Sequence, residues 1–405
     1  MIKRFGFKNF YSFKEGTEVN FMLDGNVPSD IKNGRDFTTV LGIKGANGSG
    51  KTNLIKALDF LKIFCTNPKN IDISESLDVN TFNNSNEPCE FYVEFISNDT
   101  CYYYEAEVTT QEVIKESLYR KKQKQIRLFE RDKNELSYVI KELAPLKYIT
   151  LNKNTSVIGL ANKLSLVSDL SAINDAFEFF SRILTNVDSS GFFDFSFSLQ
   201  ASSKEYYKFP DVFSFVKKII RKADSGIKDI EIRKKVDDET GAESFYPVFI
   251  HEHCSNTFEL TFNQESNGTK SLYRKLFLYW GTLTFGGILA LDEFDIHIHS
   301  LILPHILELF TSDTNTKNAQ FIFTAHNTEI IDFLKKYRTI LVNKEDNESY
   351  CYRLDEIEGS IIRNDRSISP LYLDGKIGGV PYVSAVPTAT VGDDFFSTSE
   401  KNQEC

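Results

Sequence analysis

The sequence predicts an α/β fold with a mixed central sheet, an antiparallel β-subdomain and a helical insertion. Two observations carry that prediction. A short apolar strand, Thr39-Val40-Leu41-Gly42-Ile43, runs into a glycine-rich loop and then into a helix whose Leu54, Ile55, Leu58, Leu61, Ile63 and Phe64 recur at helical spacing. Further along, helical and buried-strand patterns alternate: helix at 268–282, strand at 287–291, helix at 301–310, strand at 319–324, helix at 329–336. Strands that alternate with helices stack side by side in one sheet, because each helix must return the chain to the same edge.

The remaining elements follow in chain order. Residues 2–13 and 17–21 alternate apolar and polar side chains and read as two antiparallel strands joined by the turn Lys14-Glu15-Gly16. Residues 24–37 and 66–88 are polar and rich in turn formers, as surface loops are. Cys89 to Val108 carries two β-rich runs about the turn Asn98-Asp99, and Gln111 to Tyr138 reads as further charged hairpins. Ala161 to Asn186 and Val212 to Ala223 read as helices. Phe245 to Phe262 returns to strands. From about Ser384 the chain becomes small and polar, which predicts a loose tail. No internal repeat is evident.

Bulk composition narrows the function classes. A 405-residue chain that is 41% hydrophobic can bury a large core, and it has no run of eighteen apolar residues, so a soluble protein with one large domain or two lobes is expected. The first residues lack a signal-peptide h-region. Six cysteines without CxxC spacing fit free thiols in a reducing cytoplasm better than a disulfide frame or a zinc site. With 57 acidic against 47 basic residues the net charge is −10, a poor global field for nucleic acid. Any such contact would need a local basic surface.

The glycine loop reads Gly45-Ala46-Asn47-Gly48-Ser49-Gly50-Lys51-Thr52. This is a complete Gly-x-x-x-x-Gly-Lys-Thr phosphate-binding loop. Its glycines let successive N–H groups turn toward phosphate oxygens, Lys51 adds a mobile positive charge, and the Thr52 hydroxyl is placed for Mg²⁺. Asn53 opens the helix that follows, whose N-terminus favours an anion. Residues 286–293, Gly-Gly-Ile-Leu-Ala-Leu-Asp-Glu, form an apolar strand ending in two carboxylates. Asp292 is the expected Mg²⁺ ligand and Glu293 the expected general base for an attacking water. Gln320 to Asn327 is a second apolar strand ending in His326; it resembles the switch position of ATP-binding-cassette enzymes, which implies that the imidazole meets the γ-phosphate. Glu265-Ser266-Asn267-Gly268-Thr269-Lys270 opens a helix, so Ser266 and Gly268 can cap it and also meet an anion.

In this order the motifs resemble the AAA-family, ABC-type ATPases related to RecF, SMC and OLD proteins, and most of all stand-alone bacterial ATPases of abortive-infection and anti-phage systems. The resemblance covers residues 1 to about 383, with an Asn9-Phe10 opening, Leu128-Phe129-Glu130-Arg131 and the ending 372–381, Tyr-Leu-Asp-Gly-Lys-Ile-Gly-Gly-Val-Pro. It implies an ATPase head that dimerises head to tail, or forms a higher even oligomer, around ATP and Mg²⁺. Each ATP would touch Lys51 and Thr52 of one chain and Ser266 and Gly268 of the other. Asp295 would lie in a D-loop facing the partner, with His299 close behind. Residues 1–98 and 241–383 would form the two halves of the head, 99–240 the β-hairpin and helical insertion, and 384–405 the tail. The chain departs from the pattern in four ways. Gln111 is a poor candidate for the Q-loop glutamine, the signature reads Ser-Asn-Gly-Thr, and no TOPRIM-like acidic constellation or long heptad arm is evident. Any nuclease or toxin is therefore expected on a separate chain.

Three readings compete: an ATPase controlling a separate effector in phage defence, a RecF-like DNA-binding repair ATPase, and an ATP-clamped scaffold. The second draws on the basic run Arg120, Lys121, Lys122, Lys124, Arg127, Arg131 and Lys133, although such runs are usually solvated hairpins. His251 and His253 share a strand face beside Cys254, but no fourth ligand is evident for zinc. Phe10 or Phe13 could approach an adenine, but aromatics in a first strand are usually core. No membrane contact is expected.

Overall fold

The computed structural model describes residues 1–66, 76–163, 170–194, 196–254, 256–359 and 361–381. The tail expected from 384 lies outside the described residues. The chain opens with β1 (Ile2–Lys8) and β2 (Thr17–Asn20), then the short α1 (Ser29–Lys32), β3 (Val40–Gly45) and α2 (Lys51–Thr66). Five antiparallel strands follow: β4 (Cys89–Ser97), β5 (Thr100–Val108), β6 (Val113–Lys121), β7 (Gln125–Asp132) and β8 (Glu135–Val139). Next come α3 (Val157–Lys163), α4 (Ser171–Ser181), β9 (Ile183–Thr185), β10 (Val187–Asp188), β11 (Gly191–Phe192), α5 (Leu199–Lys208) and α6 (Pro210–Ala223). The last part holds β12 (Ile227–Val236), β13 (Glu243–His253), β14 (Asn256–Thr261), α7 (Asn267–Phe285), β15 (Ile288–Leu291), α8 (Leu303–Thr311), β16 (Gln320–Thr324), α9 (Ile330–Leu334), β17 (Thr339–Glu345), β18 (Glu348–Arg353) and α10 (Ser369–Leu373).

Two sheets carry the architecture. A mixed six-stranded sheet has the order β18-β17-β3-β16-β15-β9, parallel throughout except for the β17–β18 hairpin. Its inner strands β15 and β16 are buried along their whole length, as strands covered on both faces must be. A seven-stranded antiparallel sheet has the order β2-β1-β4-β5-β6-β7-β8. Its strands alternate instead: Tyr102, Tyr104, Ala106 and Val108 of β5 point into the core. The Gln320 side chain links the two sheets, accepting from the Ile2 N–H (2.6 Å) and donating to the Ile2 carbonyl (2.8 Å). Helices α2 and α4 pack between them, with Leu54, Leu58 and Leu61 buried on α2 and Phe179 stacked on Phe95 at 3.9 Å. A smaller sheet, β12-β13-β14, lies with α5, α6 and α7.

The α/β class with mixed and antiparallel sheets is as the sequence predicts. Several features were not anticipated: the short α1 and α10, α5, the β10–β11 pair, β12, the β17–β18 hairpin, and the role of β9. The last comes from the stretch read as insertion, yet it edges the central sheet, parallel to β15. The turn between β1 and β2 is also longer than three residues. The chain loops through 9–16, held by a Phe10–Phe13 bridge, and carries Ser12 against the glycine loop. Among the described residues, no helix is long and apolar enough to cross a membrane.

Candidate nucleotide site

The glycine loop joins β3 to α2 at the carboxyl edge of the central sheet, where the strand ends leave a crevice for ligands. Gly48 and Gly50 have φ of +75° and +105°, values that admit few side chains. A Cβ on Gly50 would lie 2.8 Å from both Ser12 Oγ and Ser349 Oγ. Those two serines, 337 residues apart in sequence, brace the loop from outside. Ser349 donates to the Ser49 carbonyl and lies beside Ser12 Oγ (2.7 Å each), and Asn53 Nδ2 donates to Ser12 Oγ (3.0 Å). Lys51 Nζ turns back onto the carbonyls of Gly45 and Ala46, 2.9 Å from each. Burial lowers its pKa, and the nearby Asp292 and Glu293 oppose that shift. Among the described residues Ser49 Oγ, packed against Gly45, has no hydrogen-bond partner.

The strand-end carboxylates stand opposite the loop. Thr52 Oγ1 donates to Asp292 Oδ2 at 2.8 Å, so the two residues expected to share a metal are in contact across 240 residues of sequence. A hydroxyl beside a carboxylate is a hard-oxygen pair that suits Mg²⁺. Asp292 is itself held on three sides. Thr324 Oγ1 donates to Oδ1 at 2.6 Å, the Asp292 N–H donates to Asn186 Oδ1 at 2.6 Å, and Asn186 Nδ2 donates to the Asp292 carbonyl at 2.8 Å. Glu293 follows in the left-handed region (φ +48°), with its N–H on Thr324 Oγ1. His326 Nε2 is 3.8 Å from Glu293 Oε1, and both side chains are open to solvent. Asp295 accepts from the N–H groups of His326 (2.8 Å) and Asn327 (2.7 Å), which ties the loop after β15 to the loop after β16. A cleft beside the glycine loop is walled by Tyr11, Ser12, Asn80, Thr81, Phe82, Asn83, Lys344 and Asn347.

The structure therefore brings together Gly45, Asn47, Gly48, Ser49, Gly50, Lys51, Thr52, Asn53, Asp292, Glu293 and His326. Ser266 and Gly268 stand apart. Ser266 caps α7, accepting from the Thr269 N–H at 3.1 Å, and it stays exposed. Gly268 lies so close to the His297 carbonyl that a Cβ would sit 2.9 Å from it. Neither residue walls the cleft of its own chain. Phe10 and Phe13 are core, 1% and 0% exposed, and the aromatics at the cleft are Tyr11 and Phe82. Gln111 is exposed in the β5–β6 turn, and the amide beside Asp292 is Asn186, which the sequence did not single out. Lys44, Ser12 and Ser349 were also missed. Only Lys44 left a trace, as a charge inside an apolar strand.

Two other readings gain detail. The basic run is threaded with carboxylates: Arg120 pairs with Glu142, Lys121 with Glu94, Arg127 with Glu130, Lys133 with Glu112, and Arg131 is wholly buried against Glu116. It presents much less free charge than the sequence suggests. His251 is engaged by Glu265 at 2.7 Å, one residue before Ser266.

The sequence profile of the family described as "AAA domain, putative AbiEii toxin, Type IV TA system" matches residues 40–332, from the first residue of β3 into α9. The chain belongs to this family. That membership makes residues 40–332 an AAA domain. No curated protein matches the chain. Solved structures similar to this member of the AAA family include an SMC head bound to the C-winged helix domain of ScpA, at 14% identity and a TM-score of 0.47, covering 88% of this chain and 99% of that one. They also include the SMC head domain from Thermotoga maritima, at 14% identity and 0.43 over the same shares. A third is the Pyrococcus furiosus Smc head with an extended coiled coil bound to the C-terminal domain of ScpA, at 14% identity and 0.43, covering 88% and 97%.

Proposed function

We propose that the protein is a Mg²⁺-dependent ATPase that closes into a homodimer, or a higher even oligomer, around ATP and controls a separate effector, a nuclease or toxin, in anti-phage defence. The observation that carries the hydrolase reading is the Thr52–Asp292 contact at 2.8 Å, with Glu293 and His326 beside it. In this reading the N–H groups of Gly48 to Thr52 bind the β- and γ-phosphates, and Lys51 moves from the Gly45 and Ala46 carbonyls to the phosphate oxygens. Thr52 and Asp292 hold Mg²⁺, which supplies positive charge where the transferring phosphoryl group carries negative charge. Glu293 accepts the proton of the attacking water, and His326 orients that water or the γ-phosphate.

The dimer reading draws on Ser266 and Gly268. They sit at the open N-terminus of the 19-residue α7, outside the cleft of their own chain, where a partner's phosphate could be met. The defence reading draws on the description of the family, which names a toxin and a Type IV TA system. The RecF-like alternative loses its main support with the pairing of the basic run.

Lys51→Ala and Glu293→Gln test the proposal. Each is expected to lower ATP turnover by about 10²-fold or more, because positioning and charge stabilisation supply most of phosphoryl-transfer catalysis. Glu293→Gln is expected to accumulate an ATP-bound dimer in analytical ultracentrifugation, and Ser266→Arg to abolish it. Normal hydrolysis by both site variants would refute the site assignment. A Glu293→Gln protein that stays monomeric with ATP bound would refute the dimer.

A further inference from the structure

Lys44 is the residue just before the glycine loop, and it is 3% exposed inside the central sheet. An ammonium buried there is costly unless its donors are met. Its Nζ donates to three successive carbonyls: Ala325 (2.7 Å), His326 (2.9 Å) and Asn327 (3.1 Å). Those carbonyls belong to the irregular stretch between β16 and α9, which has no ladder of its own to satisfy them. From the other side, Asp295 accepts the N–H groups of His326 and Asn327. The backbone of His326 is thus gripped through both of its polar groups, with a cation on the oxygen and a carboxylate on the nitrogen.

We propose that Lys44 is a positioning residue for turnover, holding the 325–327 loop so that His326 stays beside Glu293. The inference rests on the hydrolase reading above, but its structural half does not depend on it. Lys44 touches neither the expected Mg²⁺ ligands nor the cleft, so its loss leaves the phosphate-binding groups in place. The charged or titratable groups around Nζ are Asp295 after β15, Lys51 at the start of α2, and the Tyr372 ring of α10 at 5.7 Å. Burial pushes the Lys44 pKa down to about 8, against the pull of Asp295. Below that pH the ammonium has three N–H groups for three carbonyls. Above it, the neutral amine keeps two, and its lone pair faces oxygen. The grip on the loop therefore weakens as pH rises through about 8.

The test uses the full chain with Lys44→Met and Lys44→Arg. Amide exchange at His326 and Asn327, read by mass spectrometry without nucleotide, is expected to speed up roughly 10-fold or more in Lys44→Met. ATP turnover is expected to fall about 10- to 100-fold in kcat, with KM changed by less than about 3-fold. Wild-type kcat is expected to decline through an inflection near pH 8 that Lys44→Arg lacks, because a guanidinium keeps its charge. Unchanged exchange in a folded Lys44→Met overturns the grip. Unchanged kcat there, or the same inflection in Lys44→Arg, overturns the role in turnover. If Lys44→Met does not fold, the Lys44→Arg profile decides alone. A wild-type protein without ATP turnover sinks the hydrolase reading and the turnover half together, while the exchange result still decides the grip.

Discussion

Replacing Asn186 with alanine isolates one support of the metal site. Asn186 is 6% exposed, and its amide satisfies both main-chain polar groups of Asp292. Alanine removes two hydrogen bonds and leaves a buried N–H and C=O without partners. Each orphaned group costs roughly 1–3 kcal/mol, so unfolding free energy is expected to drop by about 2–4 kcal/mol, allowing for partial relaxation. The functional effect has a separate cause. Asp292 Oδ2 meets Thr52 only while the residue's backbone is fixed, and outer supports of metal ligands typically govern about 10- to 100-fold in affinity. Urea unfolding measures the first quantity, and the Mg²⁺ dependence of ATP turnover measures the second. Asn186→Asp is the informative companion, because it keeps the acceptor for the Asp292 N–H and loses the donor. Asn186→Ala with unchanged stability and unchanged Mg²⁺ dependence would show that the amide supports nothing. Lowered stability with unchanged Mg²⁺ dependence would confine it to the fold.

Two further outcomes follow from buried charges. Arg131 and Glu116 are both 0% exposed, and Arg131 also reaches the carbonyls of Lys133, Asn152 and Thr155. Arg131→Met leaves the Glu116 carboxylate uncompensated and is expected to cost about 3–5 kcal/mol in urea unfolding, with Glu116→Gln added to Arg131→Met recovering part of it. Glu94 receives hydrogen bonds from Lys121, Lys3 and Arg4. These outweigh the upward push of burial and hold its pKa at about 2, below the ordinary 4.5. A carboxylate depressed in the fold stabilises above its unfolded pKa and loses that contribution as pH falls through its folded one. Glu94→Gln should therefore flatten the acid limb of stability between about 4.5 and 2 in a pH series of thermal melts.

How much of this was legible in the sequence depended on how local the determinant was. The hairpin of β4 and β5 could be read directly because its turn residues Asn98 and Asp99 are those that tolerate left-handed backbone, and both adopt it, at φ +45° and +58°. The glycine loop was legible for the same reason, since eight contiguous residues carry its chemistry. The acidic strand end and His326 were legible as a strand-then-polar pattern, although their mutual contacts were not. Asn186 and Lys44 could not be found, because their roles exist only in contacts 106 and 281 residues or more away. β9 hid because three residues directly after a helix carry no period of their own. The pairing of the basic run could not be read, because its carboxylates, among them Glu94 and Glu142, come from elsewhere in the chain.

The central sheet takes β3 from early in the chain and β15, β16 and β17 from late in it, with Gln320 fastening β16 to the first strand. The polypeptide thus closes on itself, and its middle forms a long excursion whose tip, the β6–β7 turn at Lys122 to Lys124, stands in solvent. A cut at that tip would sever the chain without parting its halves. The turn is therefore a natural seam for split-protein complementation.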